Sequence, residues 1–498
     1  MSDSILNGEV LSVLNQIQID DILDSIKPDE APQTKNGDDI SSGRLFAEVF
    51  GNVVRYNKTA KSFFYYDGKV WKIDDEGLIS YHLTKLLQKG LFRYIGRKGT
   101  DVQKYYIKYV EGLSSRAKRE TMLKEARDFN FVDSSMWDAR GELFNCQNGV
   151  YNLNTHEFLP HNPDYLLTKI SNVVYKPDAK SEDWEKFIGE VTELKDKERY
   201  LQIKFGYGIT SDTSEESFDI IFGSSTRNGK STVLETISYT LGSYAQNVNP
   251  ETLAQKPRDS RSPSEDVARL NGCRFLVCPE PPKRMVFDVA RVKTFIGRDT
   301  LTARNLYEKS FEFVPCFKLF MNTNYLPVVT DDTLFSSGRV RVITFDRHFK
   351  ENEQDKTLKD RLKTPENISG IFNWILEGLK IFQREGITVP QCIKDATKEY
   401  RESQDKINQF ITDTLEEKTD GVLMIKDLYP RYYDWCHNNG YGVESKKTFI
   451  EDLKSKGIWK KTGTVRGRTE YNVIIGYEIG FESVSNEDTE RIDGYFNR

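Results

Sequence analysis

Residues 220–237 read IIFGSSTRNGKSTVLETI, and the fold turns on how the middle of that stretch is read. A phosphate-binding loop has the form G-x-x-x-x-G-K-[ST], with four residues between its glycines. Here five residues separate Gly223 from Gly229, and Ser224 stands where the first glycine is expected. The flanks decide that this is still a phosphate loop. FDIIF (218–222) is a short apolar strand, and KSTVLETISYTL (230–241) spaces Val233, Leu234, Ile237 and Leu241 along one face of a helix. The lysine and hydroxyls therefore fall at a strand-to-helix turn, where free amides and the helix dipole attract anions. Gly229 lets the backbone come close to a phosphate. Lys230 is expected to reach the β- and γ-phosphates of ATP, and the Ser231 hydroxyl to ligate Mg2+. Ser224, Asn228, Gly229 and Thr232 complete the expected nucleotide-binding set. The extra residue lengthens the mouth of the loop and leaves its gripping half alone.

A phosphate loop by itself does not separate a small-molecule kinase from a motor; the residues downstream do. RFLVCPE (274–280) is a strand ending on Glu280, where a carboxylate can polarise water and assist the metal. FKLFMNTN (317–324) is a second apolar strand ending on Asn324, suited to placing the attacking water near the γ-phosphate. SSGRVRVITF (336–345) offers Arg339 and Arg341 as candidates for an arginine finger supplied by a neighbouring subunit. Each feature is weak alone, and their order after the loop makes the joint signal strong.

STRNGKST (225–232), RFLVCPEPP (274–282), KTFIGRDTLTARNLYEKSFEFVPCFKLFMNTNYLP (293–327) and SSGRVRVITFDRHF (336–349) together resemble the superfamily 3 helicase core of phage/plasmid and poxvirus-type primase-helicases. FNCQNGVYNLNTHEFLPHNPDYLLT (144–168) resembles the region preceding that core, so the resemblance covers roughly residues 140–480. It implies an AAA+-like motor assembling as a hexameric ring around DNA. Lys230 and Ser231 then fall in the Walker A motif, Glu280 in Walker B, Asn324 at sensor 1 and Arg339 at the finger position. Pro279 stands where many P-loop ATPases place an aspartate, which leaves Glu280 with both metal and water duties. TARNLYEKSFEF (302–313) reads as a hairpin with Glu308, Lys309 and Ser310 at its tip; in the family such a hairpin meets DNA in the central channel. Lys309 is the expected backbone contact and Arg304 a second. Lys293 and Asp299 lie in the same motif without a physical role.

The expected fold class is α/β: an AAA+-like P-loop ATPase core, an α+β collar before it and a winged helix after it. The boundaries read as an acidic segment and linker (1–39), the collar or assembly region (40–195), the core (196–349), a helical connector (350–418), the winged helix (419–480) and a tail (481–498). Within the collar, SFFYYDGKVWKI (62–73) is a strand–turn–strand signal around Asp67-Gly68, and 101–127 is helical. Residues 425–474 read helix, turn, helix and a two-stranded wing. Between Lys446 and Arg468 stand Lys446, Lys447, Lys454, Lys456, Lys460, Lys461, Arg466 and Arg468 against only Glu451 and Asp452. In a chain of net charge −5 that local excess stands out. Lys446, Lys447, Lys454, Arg466 and Arg468 are the expected DNA contacts here, through phosphates, with no side chain assignable to a base.

Composition excludes other classes. At 498 residues with 38% hydrophobic and 30% charged, the chain is an ordinary globular one of several domains. It holds no apolar run of the about 18 residues a membrane span needs, and its acidic start lacks the signal-peptide pattern. A cytoplasmic protein of a bacterial host is expected. Cys146, Cys273, Cys278, Cys316, Cys392 and Cys436 are scattered, so neither disulfides nor a structural metal is expected. Primer synthesis is expected to be absent, because Asp20-Asp21, Asp38-Asp39 and Asp74-Asp75 lack flanking strands to make a two-metal site.

Function then reads as a ring-forming, Mg·ATP-driven DNA helicase replicating a phage or mobile element, with primase or replisome partners possible. Two alternatives stay open: an origin-binding initiator whose ATPase controls oligomerisation or melting, and, more remotely, a small-molecule kinase.

Overall fold

The computed structural model describes residues 17–31, 33–58, 60–255, 265–304, 310–439, 441–465 and 467–480. The chain divides after Lys394 into two compact units.

In the first unit, α1 (Ile19–Ile26) and α2 (Asp39–Phe50) lead to β1 (Val54–Asn57), β2 (Ser62–Tyr66) and β3 (Trp71–Ile73). Helices α3 (Leu78–Gly96), α4 (Thr100–Gly112) and α5 (Arg116–Phe129) follow, then the short β4 (Phe131–Val132). The strands pair in the order β3-β2-β1-β4. The hairpin signalled by Asp67-Gly68 is present: Asp67 Oδ1 accepts from the amides of Lys69 and Val70, both at 2.9 Å, and Gly68 stands at φ 95°. The helical stretch 101–127 is two helices, because Leu113–Ser115 interrupts it. Leu23, Phe46, Leu87, Tyr106, Val110 and Met122 belong to the core of this part.

Next comes an antiparallel sheet of β5 (Leu143–Cys146), β6 (Gly149–Asn152) and β7 (Phe158–Leu159), followed by α6 (Glu182–Thr192) and α7 (Lys195–Gly208). Beyond them the chain alternates β8 (Phe218–Phe222), α8 (Lys230–Leu241), β9 (Ala245–Asn247), β10 (Phe275–Cys278), α9 (Val289–Ile296), β11 (Leu301–Ala303), β12 (Phe311–Phe313), β13 (Lys318–Thr323), β14 (Val340–Thr344) and α10 (Pro365–Glu385). Five of these strands form one sheet in the order β14-β8-β13-β10-β9, every neighbouring pair parallel. Parallel strands buried on both faces read as continuous apolar runs, as FDIIF, FLVC and VRVIT do. β11 and β12 pair as a separate hairpin.

The order matters for function. Parallel strands end on one edge, and β13 lies between β8 and β10. Whatever follows β13 therefore sits between whatever follows the other two, at the edge where open parallel sheets bind ligands. Beneath the sheet, Phe205, Phe275 and Phe320 stack with Ile221, Trp184 and Trp374 in one core. Helices α7 and α10 press backbone to backbone: a Cβ on Gly206 would strike the Leu379 amide, and one on Gly378 the Gln202 carbonyl. The sheet also buries charge. Lys204 meets Asp219 at 2.8 Å with both side chains almost wholly buried, and Tyr200 donates to Asp219 at 2.6 Å.

In the second unit, α11 (Gln391–Gln404) runs in across the division, and α12 (Lys406–Thr414), β15 (Leu415–Met424), α13 (Ile425–Asn438), α14 (Lys446–Ser455), β16 (Trp459–Val465) and β17 (Arg468–Ile479) follow. The three strands form an antiparallel sheet in the order β15-β17-β16. Phe410, Ile425, Tyr432, Phe449, Leu453 and Ile474 pack its core, with Tyr432 and Phe449 stacked at 4.5 Å. β15 is not among the elements the sequence suggests, since in LEEKTDGVLM only Leu415 and Gly421 are buried and no apolar alternation marks it. Among the described residues no helix is long and apolar enough to cross a membrane.

Candidate functional site

The loop between β8 and α8 is built so that its amides have nowhere to go but outward to a ligand. Gly229 stands at φ 84°, a left-handed backbone, and α8 begins at the next residue. Gly223 is needed for room, because a Cβ there would lie 2.7 Å from the Phe345 carbonyl and 3.1 Å from Lys230 Nζ. The space-saving glycine thus sits one position earlier than the pattern puts it, and Ser224 is exposed. The loop's carbonyls are taken: Gly223 O by Lys230 Nζ at 3.2 Å, Ser225 O by Asn228 Nδ2 at 2.7 Å, Thr226 O by His348 Nδ1 at 2.8 Å and Arg227 O by the Phe349 amide at 3.0 Å. Among the described residues, no backbone amide from Ser224 to Thr232 donates to a protein acceptor. In a trans peptide the N–H points away from its C=O, so tying down the carbonyls turns the next amides the other way. A run of such amides at a helix start is a cradle for a multiply charged anion.

Beside the cradle the strand order assembles three side chains. Lys230 Nζ donates to Asn324 Oδ1 at 2.7 Å and to Asn228 Oδ1 at 3.0 Å, and Asn324 Nδ2 donates to Glu280 Oε1 at 2.7 Å. Asn324 bridges the lysine to the carboxylate because β13 separates β8 from β10. Lys230 is 4% exposed, and its burial lowers the ammonium to about 8 against the opposing pull of Glu280. An anion entering the loop would restore the positive charge that burial disfavours. Ser231 Oγ accepts from Asn322 Nδ2 at 3.0 Å, which fixes the hydroxyl where a Mg2+ ligand would be needed. Ser231, Glu280 and the free amides therefore fit a metal–triphosphate. Asn322 and His348 are absent from the sequence reading. Asn322 had a signal, since N-x-N at a strand end puts two side chains on one face; His348 reaches the loop from 122 positions away and had none.

The arginines lie elsewhere. Val340 is paired with Phe218, so Arg339 sits at the start of β14, at the opposite edge of the sheet from Lys230. It forms an ion pair with Glu216. Arg341 is committed to the interior: it faces Asp219 in register, lies 3.4 Å from the Tyr200 hydroxyl and pairs with Glu215 at 3.1 Å. With its side chain only 13% exposed, it has no reach toward another molecule. Lys293 pairs with Asp331 and Thr333.

Arg304 follows β11 on the hairpin and is exposed; Lys309, with residues 305–308, lies outside the described residues. In the second unit Lys446, Lys447, Lys454 and Arg468 are all exposed, with Lys454 Nζ over the Trp459 ring at 4.4 Å, and Arg466 lies outside the described residues. Lys456 is occupied by Asp405.

Comparison with known proteins places these pieces. The model described as D5 N terminal like matches residues 43–193, a family of unknown function (DUF5906) matches 221–339, and the poxvirus D5 protein-like family matches 402–493. "Putative helicase L207/L206" of Acanthamoeba polyphaga mimivirus is 26% identical over 358 residues, which cover 67% of this chain and 37% of that protein. "Putative primase C962R" of African swine fever virus is 20% identical over 389 residues, covering 72% and 40%. The chain thus spans about two fifths of the length of these relatives. Among solved structures, the apo C-terminal region of NrS-1 is similar with a TM-score of 0.52 at 13% identity, over 87% of this chain and 99% of that one. D5-type models thus match on both sides of the P-loop region, and the chain is similar to proteins named as putative helicase and putative primase from large DNA viruses.

Proposed function

We propose that this chain is an ATP-driven DNA helicase motor of the superfamily 3, AAA+-like type, working as a ring, with six subunits expected, in the replication of a viral or other mobile genome. The observation that carries the reading is the Lys230–Asn324–Glu280 chain of hydrogen bonds beside a run of unpartnered amides. In this reading the loop amides and Lys230 hold the triphosphate. Glu280, oriented by Asn324, accepts a proton from the attacking water, and Asn324 keeps that water in line. The Ser231 hydroxyl and Glu280 are the residues that would hold Mg2+, which when bound would supply neutralisation of the phosphate charge.

The reading also gives Arg339 a role. About 16 Å of β8 separates the edge carrying Arg339 from the edge carrying Lys230, so a finger role is open to it only on a neighbouring subunit's nucleotide. Its ion pair with Glu216 is partly exposed, which leaves it open to exchange for a phosphate. A nucleotide between subunits makes hydrolysis depend on assembly. The hairpin of β11 and β12, with Arg304 and Lys309, would track DNA in the channel.

The second unit favours a companion reading. Its helix, strand, two helices and two strands follow the order of a winged helix, with α14 as recognition helix and Lys446, Lys447, Lys454, Arg466 and Arg468 for DNA phosphates. Origin recognition by that unit would make the protein an initiator as well as, or instead of, a motor. Relatives named as helicase and as primase, all from large DNA viruses, support a replicative setting and primase or replisome partners.

Strand displacement on a forked duplex of arbitrary sequence tests the motor reading. ATP-dependent unwinding is expected; ATPase activity that DNA stimulates, without any displacement unless an origin sequence is present, would leave the initiator. Turnover indifferent to DNA would remove both.

A further inference from the structure

The phosphate loop is one residue longer than its pattern, and the chain after β14 holds the surplus in place. Residues Phe345–Lys350 run back along the loop. The Phe345 amide donates to the Phe222 carbonyl at 2.7 Å, His348 Nδ1 to the Thr226 carbonyl at 2.8 Å and the Phe349 amide to the Arg227 carbonyl at 3.0 Å. A carbonyl only accepts, so the proton lies on Nδ1 of His348. Thr226 and Arg227 form the middle of the lengthened loop. Arg227 stands at φ 58°, a left-handed backbone that a residue with a side chain keeps only when its surroundings hold it.

Each of these bonds has a geometric consequence across the peptide plane. Fixing the Thr226 carbonyl on one side aims the Arg227 amide to the other, and fixing the Arg227 carbonyl aims the Asn228 amide likewise. These two amides are among those without a protein acceptor. A loop of standard length needs no such brace, because its own turns set the amides. In this loop the added residue removes that constraint; Asn228 and Lys230 hold the Ser225 and Gly223 carbonyls, and the imidazole of His348 is the side chain that holds the Thr226 carbonyl at the loop's middle.

We infer that His348 is a positioning residue for the phosphate cradle: its Nδ1–H locks the Thr226 carbonyl and so orients the amides of the loop's middle toward a bound di- or triphosphate. The inference rests on reading the loop as the ATP site. Its readout is nucleotide affinity in the full chain, with Mg·ADP as the calorimetric probe. His348→Ala weakens ADP binding about tenfold, the size of one lost, well-aligned hydrogen bond. His348→Asn restores most of the affinity, because the Asn Nδ2–H takes the place of the imidazole Nδ1–H. Wild-type affinity in His348→Ala overturns the inference, as does an Asn variant as weak as the Ala one. Lys230→Ala separates this from the larger reading. If it also binds ADP at wild-type strength, the loop is no phosphate site at all. If it loses binding while His348→Ala keeps it, the site stands and only the brace falls.

Discussion

At Lys230, burial and charge pull in opposite directions. Desolvation brings its ammonium down to about 8, and the Glu280 carboxylate resists. A phosphate on Nζ favours the charged form, so nucleotide binding takes up a proton wherever the free lysine has lost one. The sign follows: affinity is full below pH about 8 and declines as the pH rises through it, by up to about tenfold per unit. Calorimetry of Mg·ADP binding from about pH 7 to about 9.5 checks this; a flat profile would show that Lys230 does not face the phosphates. The same residues show what a sequence can disclose. Gly229, Lys230, Ser231, Glu280 and Asn324 are legible because each sits at the end of a recognisable strand or the start of a helix. Asn322 is legible only through the N-x-N at its strand end, and His348 is not legible, since its role comes from a long-range return of the chain that no local pattern encodes. Arg339 and Arg341 look equivalent in SGRVRV, and only the register with Asp219 turns one inward.

At the scale of elements, β8 and β14 are joined by a buried polar cluster as well as by their ladder. Asp219 accepts from Tyr200 at 2.6 Å and pairs with Lys204 at 2.8 Å, and Arg341 stands opposite it in register. Burial lowers the Lys204 ammonium and raises the Tyr200 hydroxyl, while Arg341 is held charged by the tyrosine and aspartate around it. Removing this acid leaves the buried Lys204 ammonium without its ion-pair partner and Arg341 with Glu215 as its remaining carboxylate, which costs about 3–5 kcal/mol. Asp219→Ala is therefore expected to lower the stability of the folded chain by that amount in urea denaturation; a loss under about 1 kcal/mol would mean the cluster is not cohesive. Such a cluster is hard to read in advance, because FDIIF reads as an apolar strand in spite of its aspartate. The alternating strands and helices of 218–345 were legible from apolar runs and helical spacing. β15 was not, because LEEKTDGVLM hides one face of two buried residues under a row of charges.

At the scale of the molecule, the groups proposed to act on ATP stand at opposite edges of one sheet. Lys230, Asn324 and Glu280 gather at the strand ends, and Arg339 lies at the strand starts beside Glu216. One chain cannot bring both edges to one triphosphate, whereas the proposed ring of identical chains would do so at every interface. The central claim, that ATP is hydrolysed between two subunits, is tested most directly by mixing two disabled chains. Lys230→Ala removes the phosphate contact from its own site, and Arg339→Ala removes the finger from its neighbour's. Each alone is expected to be inactive. Mixed in equal amounts and allowed to exchange, they create intact sites wherever an Arg339→Ala chain is served by a Lys230→Ala neighbour, about one interface in four. The account predicts recovery of ATP hydrolysis to roughly that fraction of wild type; a mixture as inactive as its components, or an Arg339→Ala chain that hydrolyses ATP unaided, would contradict it.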